Sequence, residues 1–379
     1  MKLSKDGKAL LYITVFLTIF GIIMVLSSSW PTAVSEHRAW YYYGLRQGIF
    51  ALLGFVFMQF TGVYDNENYK KNALWIFLIA LILCALVFTP LGKEINYAKR
   101  WIKIKSFSFM PSDILKFASI NLAAAIVSQK INKIKTFNEG FLRMIILVAV
   151  SGGIVFMQPD LSTAIVIIGS VFCVFMVSGL NVRYIVSTLL TTLVFGYIAI
   201  FKVKIGYSRI DRIIAFVDPL GNLEDEGWQL SQSLAAVSNG GFLGSGLGMS
   251  KQKFLYLSQA HNDFIFAIIC EEFGFLGALI LIIAYFAFLV CGIRIAMKTK
   301  HIYSKLLVSG ILFVIGIQAY VNMTVVTGLI PPTGLTLPFI SYGGTSLMIM
   351  LGLVGIILNV DRNNAVSYTH LTLPTILLV

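Results

Sequence analysis

Charged side chains are scarce in this sequence: Asp, Glu, Lys and Arg make up 12% of its 379 residues, against 58% hydrophobic. A soluble domain of this size cannot cover its surface so sparsely, so the solvent for most of the chain is lipid. Cysteine is scarce too. Cys84, Cys173, Cys270 and Cys291 lie in or at the ends of apolar runs without CxxC spacing, which excludes a disulfide framework and a cysteine metal site and leaves them as packing residues. The short alternating segments of a transmembrane barrel are missing. The glycine-dense stretch SNGGFLGSGLGMSKQ has neither GxxxxGK[ST] nor GxGxxG, so nucleotide binding has no support, and only flexible backbone in close approach to a ligand is expected of it. No cofactor is evident, a divalent cation is compatible with the sequence but not indicated by it, and no nucleic-acid partner is expected.

What the chain does have is a series of apolar runs of roughly 17 to 25 residues, each long enough to cross the hydrocarbon as a helix. The expected fold is all-α, a polytopic membrane protein with about ten transmembrane helices and one long extracytoplasmic loop at 202–262. The candidate spans are 9–26, 47–63, 73–89, 112–128, 141–157, 161–180, 184–201, 264–293, 306–329 and 340–360. The basic start resembles a signal peptide, but the apolar stretch is long and no small-residue cleavage site follows, so it is expected to stay as the first helix. An even number of spans puts both termini on one side, and Lys2, Lys5 and Lys8 make that side cytoplasmic.

Two outer segments break the positive-inside pattern. One holds Lys93, Lys99, Arg100, Lys103 and Lys105; the other holds Lys202, Lys204, Arg209, Arg212 and Lys251. An anionic partner at the outer face is the simplest reason for them. In NYAKRWIKIKSFSF, the registers Ile102/Ile104 and Phe107/Phe109 suit a strand or an interfacial segment, with Trp101 as headgroup anchor; a phosphate-binding rim and an ordinary interfacial belt both fit.

The 202–262 loop ends on His261, Asn262 and Asp263, directly before the run FIFAIICEEFGFLG. Asn or Asp there suits a helix N-cap, and catalysis is the competing role for Asp263. Glu271 and Glu272 follow about 12 Å further along the helix and need a polar cavity or cationic partners. Lys116 and Asp160 each read either as ion-pair members or as functional groups. The uncharged turn LIPPTGLTLPFISYGGTS carries Pro331, Pro332, Pro338, Gly343 and Gly344, which predicts irregular backbone at membrane depth. The last residues, 366–379 (VSYTHLTLPTILLV), differ in style from everything before them and can be spelled by a sequencing adapter; a non-native tail is expected there, after one transmembrane domain spanning 1–365.

KRWIKI, PSDILK, QPDLSTA, GGFLGSGLGMSKQK, AHNDFIFAIICEEFGFLG and PPTGLTLPFISYGGTSL occur in one order along the chain. In that order and spacing they resemble the SEDS family (shape, elongation, division and sporulation), the FtsW, RodA and SpoVE type of peptidoglycan glycosyltransferase, most closely its division or sporulation branch. The resemblance implies an enzyme of the bacterial cytoplasmic membrane that polymerises lipid II into β-1,4 glycan strands at the outer face and works with a class B penicillin-binding transpeptidase. It implies Asp263 as general base and Arg100, Trp101, Lys116, Gln158, Asp160, Arg209, Arg212, Ser341 and Tyr342 as substrate-binding residues. Two departures stand out: Ser258 and Gln259 replace the family's usual Pro-Glu, and Met110, Pro111, Ser112 and Asp113 replace its Gln-Pro-Ser-Glu. A lipid-linked precursor transporter and a non-catalytic division scaffold are the competing readings.

Overall fold

The computed structural model describes residues 3–95, 98–104, 107–188, 190–191, 216–219, 221, 226–254, 256–258 and 260–372. Its helices are α1 Lys5–Ser35, α2 Tyr42–Thr61, α3 Asn66–Lys71, α4 Ala73–Leu86, α5 Pro111–Gln129, α6 Arg143–Phe156, α7 Leu161–Val177, α8 Glu226–Gly240, α9 Ile265–Lys298, α10 Ile302–Val326 and α11 Gly344–Thr372. Each predicted span except 184–201 contains one of them; that one lies mostly outside the described residues, as do Arg209 and Arg212. Six helical stretches among the described residues are long and apolar enough to cross a membrane: α1, α2, α6 together with the π-helical turn Phe137–Leu142 before it, α9, α10 and α11 as far as Asn364; α4 and α7 are shorter apolar ones. The chain is a multi-pass membrane protein.

The helices meet through small residues, because in lipid it is close backbone approach rather than hydrophobic burial that favours association. On the α2–α11 seam, a methyl at Gly54 would stand 2.6 Å from Leu351 and one at Gly355 2.3 Å from the Met58 carbonyl. Thr61 Oγ1 closes the seam by donating to the Gly352 carbonyl at 2.8 Å. The two ends of the described chain lie on one side: Ser4 N donates to Asp361 Oδ2 at 2.8 Å, and Asn364 reaches Thr299 at the end of α9.

Between α4 and α5 the chain forms an antiparallel sheet, β1 Gly92–Ile95, β2 Ala98–Ile104 and β3 Phe107–Phe109, with Ile102 opposite Phe109 and Ile104 opposite Phe107. The expected registers thus pair across strands. Alternation sorts the cations: Arg100 shares a face with the buried Ile102, while Lys99, Trp101 and Lys103 lie on the other, with Lys93 opposite Trp101.

The described part of the long loop dips back along α9. Gly274 (φ 65°, ψ −164°) breaks that helix. The amides of Phe275 and Leu276, which would bond to Glu271 and Glu272, donate instead to the carbonyls of Gly241 (2.9 Å) and Phe242 (3.2 Å). The freed carbonyls of Glu271 and Glu272 accept from Ser245 N and Gly246 N, both at 2.9 Å. Four inter-segment bonds replace two helical ones, so no backbone group is orphaned about 14 Å along the helix from Ile265. Two of the glycines here approach backbone: a methyl at Gly240 would lie 1.9 Å from the Cys270 carbonyl, and one at Gly244 2.3 Å from that of Glu272.

The proline-rich turn after α10 is irregular, as expected, and its second half is buried: Leu335, Leu337, Phe339 and Ile340 are all inaccessible or nearly so. Gly21, midway along α1, receives it, since a methyl there would be 2.5 Å from the Phe339 carbonyl. Irregular backbone at this depth is stable only because protein surrounds it.

Candidate functional site

The turn before α9 is held by its carbonyls. The His261 carbonyl accepts from Tyr342 N (2.9 Å), the Asn262 carbonyl from Ser341 Oγ (2.7 Å) and the Asp263 carbonyl from Asn322 Nδ2 (2.7 Å). Ser341 Oγ also accepts from Leu337 N, and Gln47 of α2 spans the same loop, donating to the Ser341 carbonyl at 3.0 Å and accepting from Gly343 N at 3.3 Å. Two elements, the turn and α10, thus bond the peptide that carries Asp263, and α2 holds the turn in place. The residue at the N-cap of α9 is Phe264, with no side-chain cap bond, and Asp263 is the residue before it.

Beside it, His261 packs against Tyr43 and Tyr342, with ring centroids 4.9 and 5.7 Å away. Tyr43 donates to Glu36 at 2.7 Å, and Arg38 pairs with Glu36 at 3.3 Å while lying 4.6 Å over the Tyr42 ring. Burial pushes the His261 pKa down to about 4, with Glu36 pulling weakly the other way. At neutral pH the imidazole is uncharged.

A second group forms where β2 meets the turn into α7. Asp160 Oδ1 caps α7 by accepting from Thr163 N at 3.1 Å and lies 3.8 Å from Arg100, which also donates to the Pro159 carbonyl. Gln158 donates to the Cys84 carbonyl at 2.8 Å. Arg100 Nε, Gln158 Oε1 and Asp160 Oδ2 are buried without a hydrogen-bond partner among the described residues, an arrangement that suits solvent or a polar ligand. Lys116 pairs with Asp113 at 2.7 Å, both buried, so its ammonium is committed to a neighbour within α5. Trp101 is half-buried on the outward face of the sheet.

A short strap joins the two groups. Ser162 Oγ, beside Asp160, donates to the Thr333 carbonyl at 2.6 Å, and Asn322 Nδ2 donates to that of Leu335 at 2.7 Å. Between them Gly334 (φ 75°) faces the Asp263 carboxylate: a methyl there would stand 3.5 Å from Asp263 Oδ2. Ser341, Tyr342 and Asp263 are thus brought together directly; Arg100, Gln158 and Asp160 form the adjoining group. No cluster of three His, Cys, Asp or Glu suited to a metal ion occurs among the described residues.

The deeper carboxylates, expected to face a polar cavity or to meet cationic partners, divide between a cation and neutral donors. Glu272 pairs with Lys253 at 2.9 Å, both buried, and accepts from the half-buried Ser27 at 2.7 Å. Glu271 pairs with no cation among the described residues; it accepts from Ser250 Oγ, Lys251 N (3.0 Å) and Gln252 N (3.3 Å), tying down the segment before α9.

The family model described as "Cell cycle protein" (FtsW, RodA, SpoVE) matches residues 8–366. The chain belongs to this family. A relative from Geobacter metallireducens, named a probable peptidoglycan glycosyltransferase FtsW, is 38% identical over 95% of this chain and 96% of its own length. Stage V sporulation protein E of Bacillus subtilis is 38% identical over 95% of this chain and 98% of its own length. Among solved structures, a chain from work titled "Structural coordination of polymerization and crosslinking by a peptidoglycan synthase complex" superposes with a TM-score of 0.78 at 25% identity, covering 94% of this chain and 97% of that one. The rod shape determining protein RodA of Thermus thermophilus shares the fold, with a TM-score of 0.70 at 23% identity over 94% of this chain and 96% of that one.

In this FtsW/RodA/SpoVE-family chain, sequence reasoning passed over Asn322, Gly334, Gln47 and Lys253. Asn322 and Gln47 carried a signal, as uncharged polar residues inside apolar runs whose burial in lipid demands a partner. Gly334 and Lys253 carried none: one matters through what it faces, the other through a carboxylate that only folding brings to it.

Proposed function

We propose that this protein is a peptidoglycan glycosyltransferase of the bacterial cytoplasmic membrane. It polymerises lipid II, with Asp263 as general base. Asp263 takes the proton from the acceptor's GlcNAc 4-hydroxyl as that oxygen attacks the donor's MurNAc anomeric carbon, and undecaprenyl diphosphate leaves; a single displacement inverts the centre to a β-1,4 linkage. The observation that carries this reading is a carboxylate on a peptide bonded by Asn322 of α10 and by Ser341 and Tyr342 of the following turn, in a chain 38% identical to a named glycosyltransferase along 95% of its length. Arg100, with Arg209 and Arg212, is assigned to the diphosphate, where a guanidinium fork suits paired oxygens. Gln158, Asp160, Ser341 and Tyr342 are assigned to the sugar-binding cavity. Lys116 supports it through Asp113, and Trp101 at the headgroups. The termini are cytoplasmic, and the crosslinking of the product falls to a class B penicillin-binding transpeptidase.

The transporter reading needs charges free to alternate near the midplane. The deep charges Lys253, Glu271 and Glu272 are instead satisfied by one another, by Ser27 and Ser250 and by backbone amides, which favours the enzyme. The test is purified Asp263→Asn incubated with lipid II, with and without the transpeptidase. The expected outcome is an inserted, partner-binding protein whose rate falls by about 10² to 10⁴. Near-normal glycan strands from this variant would remove Asp263 from the chemistry.

A further inference from the structure

Asn322 lies within α10, is 1% exposed, and has a carbonyl oxygen on each side of its amide nitrogen: Asp263 O and Leu335 O, both at 2.7 Å. Carbonyls only accept, so the two N–H hydrogens of this carboxamide are both committed, one to each. One bond holds the peptide of the proposed base. The other holds the strap whose next residue back, Gly334, presents its bare Cα toward Asp263 Oδ2. The strap's far end is tied by Ser162 at Thr333.

We infer that Asn322 is a positioning residue for glycosyl transfer, one carboxamide that sets the distance between the Asp263 carboxylate and the Thr333–Gly334–Leu335 strap, where the acceptor sugar's hydroxyl is placed. This rests on the reading of Asp263 as base. Asn322 acts through backbone and touches no reacting atom. Removing its amide lets the Asp263 peptide and the strap move independently, and a misplacement of about 1 Å at a reacting centre costs about 10²-fold in rate.

A matched control exists in the same fold. Asn359 of α11 is also buried and also donates from Nδ2 to two carbonyls, Gly62 O (3.0 Å) and Tyr64 O (3.1 Å), at the end of the molecule where Ser4 meets Asp361. Asn322→Ala and Asn359→Ala both lose a two-carbonyl anchor, and Asn359→Ala loses in addition the bonds its Oδ1 accepts from Asn66 and Asn363; only the anchor at 322 touches the proposed base. Wild type, both alanine variants and Asp263→Asn are compared for lipid II polymerisation over a range of substrate concentration, with thermal unfolding in the same detergent. Asn322→Ala is expected to lose about 10- to 100-fold in kcat with little change in KM, while Asn359→Ala keeps its kcat at a similar loss of melting temperature. Should Asn322→Ala not fold, Asn322→Ser, which keeps one donor, takes its place in the same comparison and is expected to show a partial kcat loss. Equal kcat loss in the two positions at equal loss of melting temperature, or normal kcat at position 322 beside an inactive Asp263→Asn, overturns the inference and leaves the base in place. An active Asp263→Asn overturns both.

Discussion

The four backbone bonds at the break in α9 can be tested by one glycine compared with another. Gly244 and Gly248 have nearly the same dihedral, φ 82° and φ 83°, but a methyl at Gly244 would stand 2.3 Å from the Glu272 carbonyl, whereas nothing lies within 4 Å of one at Gly248. Each alanine substitution pays the left-handed backbone penalty of about 1–2 kcal/mol. Gly244→Ala must in addition push its strand off α9, which is overpacking against rigid backbone and adds about 1–3 kcal/mol. It also strains the Ser245 and Gly246 bonds to the Glu271 and Glu272 carbonyls, so the total approaches about 3–5 kcal/mol. Reversible unfolding in mixed micelles against SDS measures both variants, and their difference cancels the shared dihedral cost. Equal destabilisation of the two would show that the glycines serve turn conformation alone and that the loop does not dock as described.

Lys253→Met leaves Glu272 buried and uncompensated and should cost about 3–5 kcal/mol, of which Lys253→Met with Glu272→Gln recovers a large part; a double variant as unstable as the single one would exclude the pair as the cause. Because His261 titrates at about 4 in the fold against 6.5 when free, the unfolded chain takes up its proton first. Stability is therefore full above pH 6.5 and falls toward pH 4 by about 3 kcal/mol, a loss that His261→Phe should lack when the two are melted side by side. Truncation after Asn364 keeps the contacts of Asn359, Asp361, Arg362 and Asn364, so expression and polymerisation should match the full chain; a large loss of either would mean that 366–379 packs against the protein.

Hydropathy determined the membrane class and nearly every described span, because a run of apolar side chains long enough for the bilayer leaves the backbone no option but a helix. Alternation at Ile102, Ile104, Phe107 and Phe109 suited a strand or an interfacial segment, since strand period is local, and the fold decided for strands and added β1. The order of motifs placed Asp263, Ser341 and Tyr342 among the candidates. What the chain could not disclose one residue at a time was pairing. Glu271 and Glu272 are neighbours in sequence with the same cost of burial, yet one meets Lys253 and the other meets amides, a difference set by which side of α9 each faces. The glycine-dense stretch reads as flexible and is instead bonded into a broken helix, because the second half of every such hydrogen bond lies in a distant segment. Asn322 and Gly334 acquire meaning only when α10 and its following turn close on Asp263: local periodicity decides which residues are helical, and tertiary contact decides what each of them holds.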